Sequence, residues 1–195
     1  ETRALGLDRH NERAVCAAVA AAGLGPAYRH FDPAAGVCLR PFVTGRCLQR
    51  ADLADRAVLQ RLAVALRRLH GLEAVGAAFA PLAAARRYAE QLGTPAAAAL
   101  AERAAEWHTG LRRDAAHFAL CHNDLLAQNV LEVDGAVRFI DWEYASRGDA
   151  FFDLATIYLE AEPPAFAEAA TVIEAFRSVL EGVGDRLGEN EPLLQ

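Results

Sequence analysis

The sequence predicts an α+β fold in which a small N-terminal part, one helix and a hairpin, precedes a larger and mainly helical part. Three observations predict this fold class. Apolar residues recur at helical spacing in several long segments, short β-type runs follow one another closely, and glycine or proline separates these segments. The chain has 195 residues, of which 53% are hydrophobic, and can therefore bury a core. We expect a division into residues 1–43 and 44–195.

The N-terminal part is predicted to contain a helix, the two strands of a hairpin and a hinge, at residues 11–22, 27–31, 37–43 and 44–46. Gly23 and Pro26 end the helix, because glycine suits a C-terminal cap and proline cannot continue a helix. The turn sequence at 32–36 joins the two strand-like runs. The hinge is predicted because Thr44-Gly45-Arg46 interrupts the strand pattern.

The larger part is predicted to consist of helices interrupted by a small β-insert. Its helices are expected at residues 57–69, 81–92, 96–107, 151–160 and 165–180, and its strands at residues 118–121, 130–133 and 137–140. Thr94-Pro95 supplies a capping hydroxyl and a proline at the first helical position, which favours a helix start. Asp134-Gly135 is a strong hairpin signal, and the residues from Gly182 onward are expected to form a loose tail.

The composition argues against several functional classes. A net charge of -6 argues against nucleic-acid binding, which is typical of proteins with a basic patch. No apolar stretch reaches the length of a membrane span, and the N-terminus shows no secretory signal. The four cysteines lack zinc-ligand spacing and are expected to be reduced and mostly buried thiols. These patterns predict a protein of the cytoplasm.

The segment CHNDLLAQNVL, at residues 121–131, predicts the chemistry. Its spacing is H-x-D-x-x-x-x-N, followed by a strand, a tight DG turn, a second strand and Asp141. Phosphoryl transfer requires a carboxylate that orients or deprotonates a hydroxyl, and oxygen ligands for the Mg²⁺ on the phosphates. Asp124 is placed for the first task as catalytic base, and Asn129 and Asp141 for the second as metal ligands. The same residues match the kinase template H-R-D-L-x-x-x-N followed by D-F-G.

This motif, together with FIDWEYA at residues 139–145, resembles the choline and ethanolamine kinase family and, slightly less, aminoglycoside and thiamine kinases. The resemblance implies a protein-kinase-like fold with two lobes that uses ATP and Mg²⁺. The glycine-rich strands and the phosphate-binding basic residue of that family would precede residue 1. We therefore expect an N-terminally truncated member, with an incomplete N-terminal lobe and a mainly helical C-terminal lobe.

Nucleotide-binding residues follow from the same resemblance. Residues 7–12 are similar to the start of the family's regulatory helix, in which Glu12 would pair with the basic residue that holds the phosphates. A solvated helix face explains Glu12 equally well. Residues 39–46 resemble the adenine-binding hinge, where the Pro41 carbonyl and the Val43 amide would face the base.

The resemblance implies an acceptor that is a small cationic compound with a hydroxyl group. Tyr144 and Glu160 fall where choline kinases place an aromatic and an acidic residue of the cation site, and Glu143 adds a carboxylate to the cleft. A core tyrosine and a helix-end charge explain Tyr144 and Glu160 about as well. His122 in the catalytic loop, and Asp153 in a Phe-Asp-Leu-Ala element, are expected to have structural roles.

Three functions stay open at this point. The first is a kinase of choline, ethanolamine or a similar amino alcohol. The second is an aminoglycoside or thiamine kinase, because an acidic pocket also suits a polycation. The third is a catalytically impaired relative that binds a small cation or nucleotide without turnover. The presence of Asp124, Asn129 and Asp141 favours an enzyme, whereas the family's later aromatic residues that close a choline cage do not occur in this sequence.

Overall fold

The computed structural model describes residues 7–76, 78–110 and 118–161. Its helices are α1 (Arg9–Ala21), α2 (Arg56–His70), α3 (Pro81–Leu92), α4 (Pro95–Gly110) and α5 (Ala150–Ala161), with short 3-10 helices at Arg50–Ala54 and Ala127–Asn129. Its strands are β1 (His30–Asp32), β2 (Val37–Leu39), β3 (Arg46–Cys47), β4 (Phe118–Cys121), β5 (Val130–Val133), β6 (Ala136–Phe139) and β7 (Ser146–Asp149).

Helix α1 begins two residues before its predicted start at residue 11. The reason is the N-cap, where the Asp8 carboxylate accepts hydrogen bonds from the backbone N–H groups of His10 (3.0 Å) and Asn11 (3.1 Å). The predicted apolar face is confirmed, since Val15 and Val19 are buried. This face joins α1 to the core.

Strands β1 and β2 form the predicted hairpin, in which Phe31 lies opposite Cys38. Both strands are shorter than the predicted runs at 27–31 and 37–43. Pairing ends after Leu39, just before Pro41, which has no N–H to donate to a ladder. The residues between β2 and β3 therefore form a connecting segment.

Strands β3, β5 and β6 form an antiparallel sheet that contains the second predicted hairpin. Its turn residues Asp134 and Gly135 have φ values of 50° and 77°, as a tight hairpin turn requires. Strand β3 was predicted as part of the hinge, but it pairs with β5. A Cβ atom at Gly45 would lie 2.7 Å from the Glu132 carbonyl oxygen, so only glycine fits this approach.

Strand β4 was predicted, but its antiparallel partner β7 was not. In this pair Leu120 lies opposite Arg147 and Cys121 opposite Ser146. The sequence of β7, Ser-Arg-Gly-Asp, has neither the alternation nor the residue types that indicate a strand. These residues form a strand because they pair with β4, and not because of their own residue types.

The helices of the larger part match their predicted positions closely. Helix α2 buries Val58, Leu62 and Leu66 on its predicted face, and α3 ends at Gly93, whose φ of 62° is typical of a helix C-cap. The predicted helix at 165–180 and the predicted tail lie outside the described residues. No helix in the described ranges combines the length and the apolar character that crossing a membrane would require.

The core is continuous across the predicted boundary between residues 43 and 44. Val15 and Leu24 from the N-terminal part belong to the same cluster as Leu62, Phe139 and Trp142. The Leu24 carbonyl also accepts a hydrogen bond from the Phe139 N–H (2.7 Å). The division of the chain at this boundary stays a prediction.

The cysteines depart in part from their expected burial. All four are free thiols, and Cys16 and Cys121 are buried as expected. Cys38 and Cys47 are exposed, because both lie on short strands at the surface of small sheets.

Candidate active site

Asp124 and Asn129 are in direct contact. The Asn129 side-chain amide donates hydrogen bonds to the Asp124 carbonyl oxygen (2.9 Å) and to its carboxylate (3.2 Å). The 3-10 turn Ala127–Asn129 creates this contact, because it turns the chain back toward Asp124 before β5 begins. The amide nitrogen of Asn129 faces Asp124, which leaves its amide oxygen directed to the other side.

Asp141 follows β6 and returns to the same loop. The Ile140 N–H donates to the Asn129 carbonyl oxygen (3.0 Å), so the segments that carry Asn129 and Asp141 lie side by side. Asp141 is exposed and has a φ of 67°, a left-handed conformation that is uncommon outside glycine. Such backbone strain clusters at functional sites.

The electrostatic environment of Asp124 opposes its charge. Burial raises the pKa of the Asp124 carboxyl, and the carboxylates of Asp141 and Glu160 raise it further. The effects of His122 and of the Asn129 hydrogen bond lower that pKa but do not cancel the rise. A half-buried carboxylate with a raised pKa is typical of a general base.

Asp153 anchors the catalytic loop from α5. Its carboxylate is 0% exposed and accepts hydrogen bonds from the backbone N–H groups of His122 (3.0 Å) and Asn123 (2.8 Å) and from His70 Nε2 (2.9 Å). Burial raises the pKa of Asp153, but the hydrogen bond from His70 and the contacts with His122 outweigh it, so the pKa is lowered overall. Asp153 does not line the cavity beside Asp124.

His122 and Asn123 shape the loop on either side. His122 is buried against Trp142, with ring centroids 4.7 Å apart, and its Nε2 donates to the Ile140 carbonyl oxygen (2.9 Å). Asn123 has a φ of 61°, and its side chain donates to the Tyr144 carbonyl oxygen (3.0 Å). Both residues hold the loop in place, and of the two only Asn123 lines the cavity beside Asp124.

A cavity of about 620 Å³ opens beside Asp124. Its acidic side includes Asp8 and Glu143 in addition to Asp124, and its aromatic lining is Phe79, Tyr88, Tyr144 and Phe152. The start of α3 supplies much of the remaining surface. Arg87 also lines the cavity, so one guanidinium stands against three carboxylates in the described lining. The cavity therefore combines a net negative charge with aromatic rings, as expected for an organic cation.

Tyr144 faces this cavity beside Tyr88. Burial, followed by a hydrogen bond with Tyr88, raises the pKa of the Tyr144 hydroxyl to about 12. The Tyr144 hydroxyl therefore stays protonated at neutral pH. The backbone of this segment is fixed by Asn11, whose side chain donates to the Ala145 carbonyl oxygen (2.7 Å).

Glu12 and Glu143 are brought together by Arg9. The Arg9 guanidinium lies 2.5 Å from the Glu12 carboxylate and 3.4 Å from the Glu143 carboxylate. Glu12 is only 6% exposed, so it does not belong to a solvated helix face. Burial, followed by the charge of Asp141, raises the pKa of Glu143 despite the nearby Arg9.

Glu160 lies outside the lining of the cavity. One of its carboxylate oxygens accepts from Arg50 (2.9 Å) and the other from the Ala127 N–H (3.2 Å). It therefore contacts the turn that carries Asn129, and its charge contributes to the raised pKa of Asp124.

The predicted adenine-binding residues lie on the segment between β2 and β3. Pro41 is exposed and Val43 is partly buried, while Phe42 between them is 93% exposed. Neither the Pro41 carbonyl nor the Val43 N–H bonds to another backbone group of the described residues. Both groups are therefore available at this edge.

The sequence did not reveal how α3 contributes to the cavity. Tyr88 lies within the predicted helix at 81–92 and Asp8 within the segment 7–12 that resembles the start of the family's regulatory helix, and neither had a predicted role in the site. Helical spacing shows which residues share a face of a helix, but it does not show which other parts of the chain that face contacts. Phe79 belongs to no motif, and Phe152 was noted only as part of the Phe-Asp-Leu-Ala element with Asp153.

The sequence matches the choline/ethanolamine kinase family over residues 3–170. Protein LicA of Haemophilus influenzae is 54% identical over 41 residues, a match that spans 21% of this chain and only 15% of that protein. The structure of choline kinase LicA from Streptococcus pneumoniae is similar with a TM-score of 0.74 and 21% identity, covering 98% of this chain and 77% of that chain.

Aminoglycoside phosphotransferase APH(3'')-Id from Streptomyces rimosus is similar with a TM-score of 0.64 and 26% identity, covering 94% of this chain and 75% of that chain. These likenesses confirm the predicted α+β, protein-kinase-like fold.

Proposed function

The chain belongs to the choline/ethanolamine kinase family, and from that premise we propose that it transfers the terminal phosphate of ATP to the hydroxyl of a small cationic compound. Choline and ethanolamine are the leading acceptors. The observation that carries the proposal is the hydrogen bond from Asn129 to the Asp124 carboxylate, beside an acidic and aromatic cavity. This contact supports the proposal, because phosphoryl transfer uses a carboxylate base close to an oxygen ligand of the metal on the phosphates.

Asp124 acts as the base in this proposal. It accepts the proton of the acceptor hydroxyl as that oxygen attacks the terminal phosphorus of ATP, and the bond from phosphorus to the bridging oxygen breaks to release ADP. The raised pKa of Asp124 strengthens the carboxylate as a proton acceptor. Asp153 keeps the loop in position through the backbone of His122 and Asn123.

Asn129 and Asp141 fit a Mg²⁺ ion. The Asn129 amide oxygen is turned away from Asp124, and Asp141 is an exposed carboxylate on the adjacent segment. The rise in the pKa of Asp124 caused by Asp141 indicates an excess of negative charge that a divalent cation would offset. Hard cations prefer such oxygen ligands, and the bound ion would neutralise charge on the phosphates.

The nucleotide is proposed to bind with its base at the segment between β2 and β3. The Pro41 carbonyl and the Val43 N–H are an acceptor and a donor two residues apart, a pattern that suits the edge of adenine. Glu12 would act through Arg9, whose guanidinium it holds near Glu143. A guanidinium at this place is suited to the phosphates.

The cavity favours a cationic acceptor. Asp8 and Glu143 add negative charge beside Asp124, while Tyr88 and Tyr144 supply two aromatic rings. An ammonium group gains from both the carboxylates and the ring faces. Glu160 stays a candidate for the same role, although both of its oxygens already accept hydrogen bonds.

Two other functions have specific support. An aminoglycoside or thiamine kinase is favoured by the cavity volume of about 620 Å³, which lies in the range that holds drug-sized ligands. A binding protein without turnover is favoured by Glu12, since within the described residues its carboxylate pairs with Arg9 on the same helix.

The proposed function is tested by following ADP formation with a panel of acceptors. The panel contains choline, ethanolamine, thiamine, an aminoglycoside and the anion glycerate, each assayed with the wild type and with Asp124→Asn. We expect turnover with a cationic acceptor that Asp124→Asn abolishes. A preference for glycerate would refute the cationic acceptor, and tight binding without any turnover would favour the binding protein.

The role of Glu160 is tested separately by Glu160→Gln. If Glu160 contacts the cation, the KM for the cationic acceptor rises about tenfold or more, since a lost charge contact in a binding site costs more than a tenfold change in affinity. An unchanged KM would show that Glu160 does not contact the acceptor.

A further inference from the structure

The cavity beside Asp124 has an apolar surface that the transfer of phosphate to a small amino alcohol does not need. We call it the alanine wall, and it consists of residues from the first two turns of α3 and its N-cap: Ala80, Pro81, Ala83, Ala84 and Ala85. None of these side chains offers a polar group to a ligand. Phe79 and Phe152 extend the same apolar lining.

The alanine wall continues directly from the tyrosine pair. Ala84 and Tyr88 are four residues apart on α3 and therefore share one face of the helix. Tyr88 is hydrogen-bonded to Tyr144, which also lines the cavity. From Tyr88 back to Pro81 the helix rises by about 10 Å, so the wall extends well beyond a headgroup held between the tyrosines.

The apolar lining is held in place by contacts around Phe79. The Phe79 N–H donates to the Arg147 carbonyl oxygen (2.7 Å), which fixes the residues before α3 against β7. The Phe79 ring packs edge-on against Phe152 of α5, with centroids 5.1 Å apart. The lining is thus built before any ligand arrives.

The volume of the cavity fits a ligand larger than choline. At about 620 Å³ it has several times the space that one amino alcohol of that size fills. Its three carboxylates, Asp8, Asp124 and Glu143, outnumber the single guanidinium of Arg87 in the described lining and account for the hydroxyl and the cationic nitrogen. The alanine wall is left for an apolar group.

We propose that the acceptor is an amino alcohol whose cationic nitrogen carries an apolar substituent, and that this substituent lies along the alanine wall. The inference rests on the proposed phosphotransfer and specifies its substrate class. The nitrogen is held near Tyr88, Tyr144 and Glu143, and the hydroxyl faces Asp124. The substituent then runs toward Pro81, where the wall ends.

The test is a series of choline analogues in which one N-methyl group is replaced by ethyl, butyl, hexyl or dodecyl. Burial of each added methylene is expected to tighten binding by about two- to fourfold, as measured by calorimetry with the wild-type chain. The gain stops once the substituent is longer than the wall, so dodecyl binds no more tightly than hexyl.

Ala84→Leu fills the wall and provides the matched variant. It is expected to weaken binding of the hexyl analogue by about tenfold or more and to change choline binding less than about twofold. Ala99→Leu, on an exposed part of α4 away from the cavity, should change neither. Ala83→Leu, whose side chain is exposed at the same wall, replaces Ala84→Leu if that variant does not fold.

Equal affinity for choline and the hexyl analogue would overturn the inference, as would an equal effect of Ala84→Leu on both ligands. Because binding is measured directly, this result is independent of turnover. A chain that binds the series in the expected order but forms no ADP with any acceptor would refute the proposed function and leave the alanine wall as a ligand site.

Discussion

Asp124 lies where burial and two neighbouring carboxylates all oppose its negative charge. A carboxyl whose pKa is raised by folding binds its proton more tightly in the folded chain than in the unfolded chain. At a pH above that raised value, the ionised group therefore costs stability. The chain keeps this unfavourable charge at the position proposed for the base, a conflict that is typical of active sites.

Asp124→Asn is expected to separate the proposed catalytic role of Asp124 from the cost of its charge to stability. Removal of the base lowers kcat by about a hundredfold to ten-thousandfold, while nucleotide affinity is retained. Removal of the buried charge leaves the melting temperature at neutral pH unchanged or higher. Turnover assays, nucleotide titration and thermal unfolding measure the three quantities, and more than about a tenth of wild-type turnover would contradict the assignment.

The pH dependence of activity provides a second residue-scale prediction. Asp124 must be ionised to accept a proton, so kcat/KM falls as the pH drops through its raised pKa. Glu160→Gln removes one of the charges that raise this pKa, and the acid limb of the profile should move to lower pH. Glu90→Gln, an exposed carboxylate on α3, serves as the control and should leave the limb in place.

At the scale of elements, the helices could be predicted from the sequence more completely than the strands. Helical spacing is a local property, and α2 and α3 lie within one residue of their predicted bounds. Strands β3 and β7 were missed because each is defined by a distant partner, as Arg46 is by its pairing with Glu132. The hairpin at Asp134-Gly135 was predicted because its signal is contained within the turn itself.

Gly45→Ala tests the close approach of β3 to β5. The new methyl group would lie 2.7 Å from the Glu132 carbonyl oxygen and 2.8 Å from a methyl group of Val133, so β3 must move away from β5. We expect a loss of about 1–3 kcal/mol in the free energy of unfolding, measured in urea. Thr44→Ala, at the exposed neighbouring position, should cost much less, and an equal loss would show that crowding is not the cause.

Asp153→Ala tests the link between α5 and the catalytic loop. The substitution leaves the buried N–H groups of His122, Asn123 and His70 without their acceptor, and we expect it to cost about 3 kcal/mol or more. Because the pKa of Asp153 is lowered, its stabilisation is present at neutral pH and is lost as the pH falls. Urea unfolding at neutral and acidic pH measures both effects.

Glu102→Ala removes an exposed carboxylate of α4 and is the matched control for Asp153→Ala. Its unfolding free energy should stay within about 0.5 kcal/mol of the wild type. If Asp153→Ala behaved like this control, the anchoring role of Asp153 would be wrong.

At the scale of the whole molecule, one core joins the two predicted parts. Residues of α1 pack with Phe139 and Trp142, although a hundred or more positions separate them in the sequence. The sequence predicts candidate catalytic residues because their spacing is short and their chemistry is specific, and their roles stay predictions. It did not predict the cavity, since that surface brings together α3, the approach to α1 and the loop after Asp141.

The continuous core predicts cooperative unfolding, which Trp142 can report. Trp107 is 63% exposed and Trp142 is fully buried, so in Trp107→Phe the fluorescence comes from the core alone. We expect its transition to coincide with the loss of helical circular dichroism. Two separate transitions would instead support independent units on either side of residue 43.

The position of Asp153 has a consequence for any large-scale mutational survey of this chain. In a selection scored by growth, variants at Asp153 and at Asp124 would disappear together, although only Asp124 lies at the cavity. A parallel measurement of protein abundance in the cell would divide them, because Asp153 variants would be degraded and Asp124 variants would accumulate normally. Depletion of variants in the growth selection would therefore identify too many residues as acceptor contacts. It would include residues such as Asp153 that only hold the loop through its backbone.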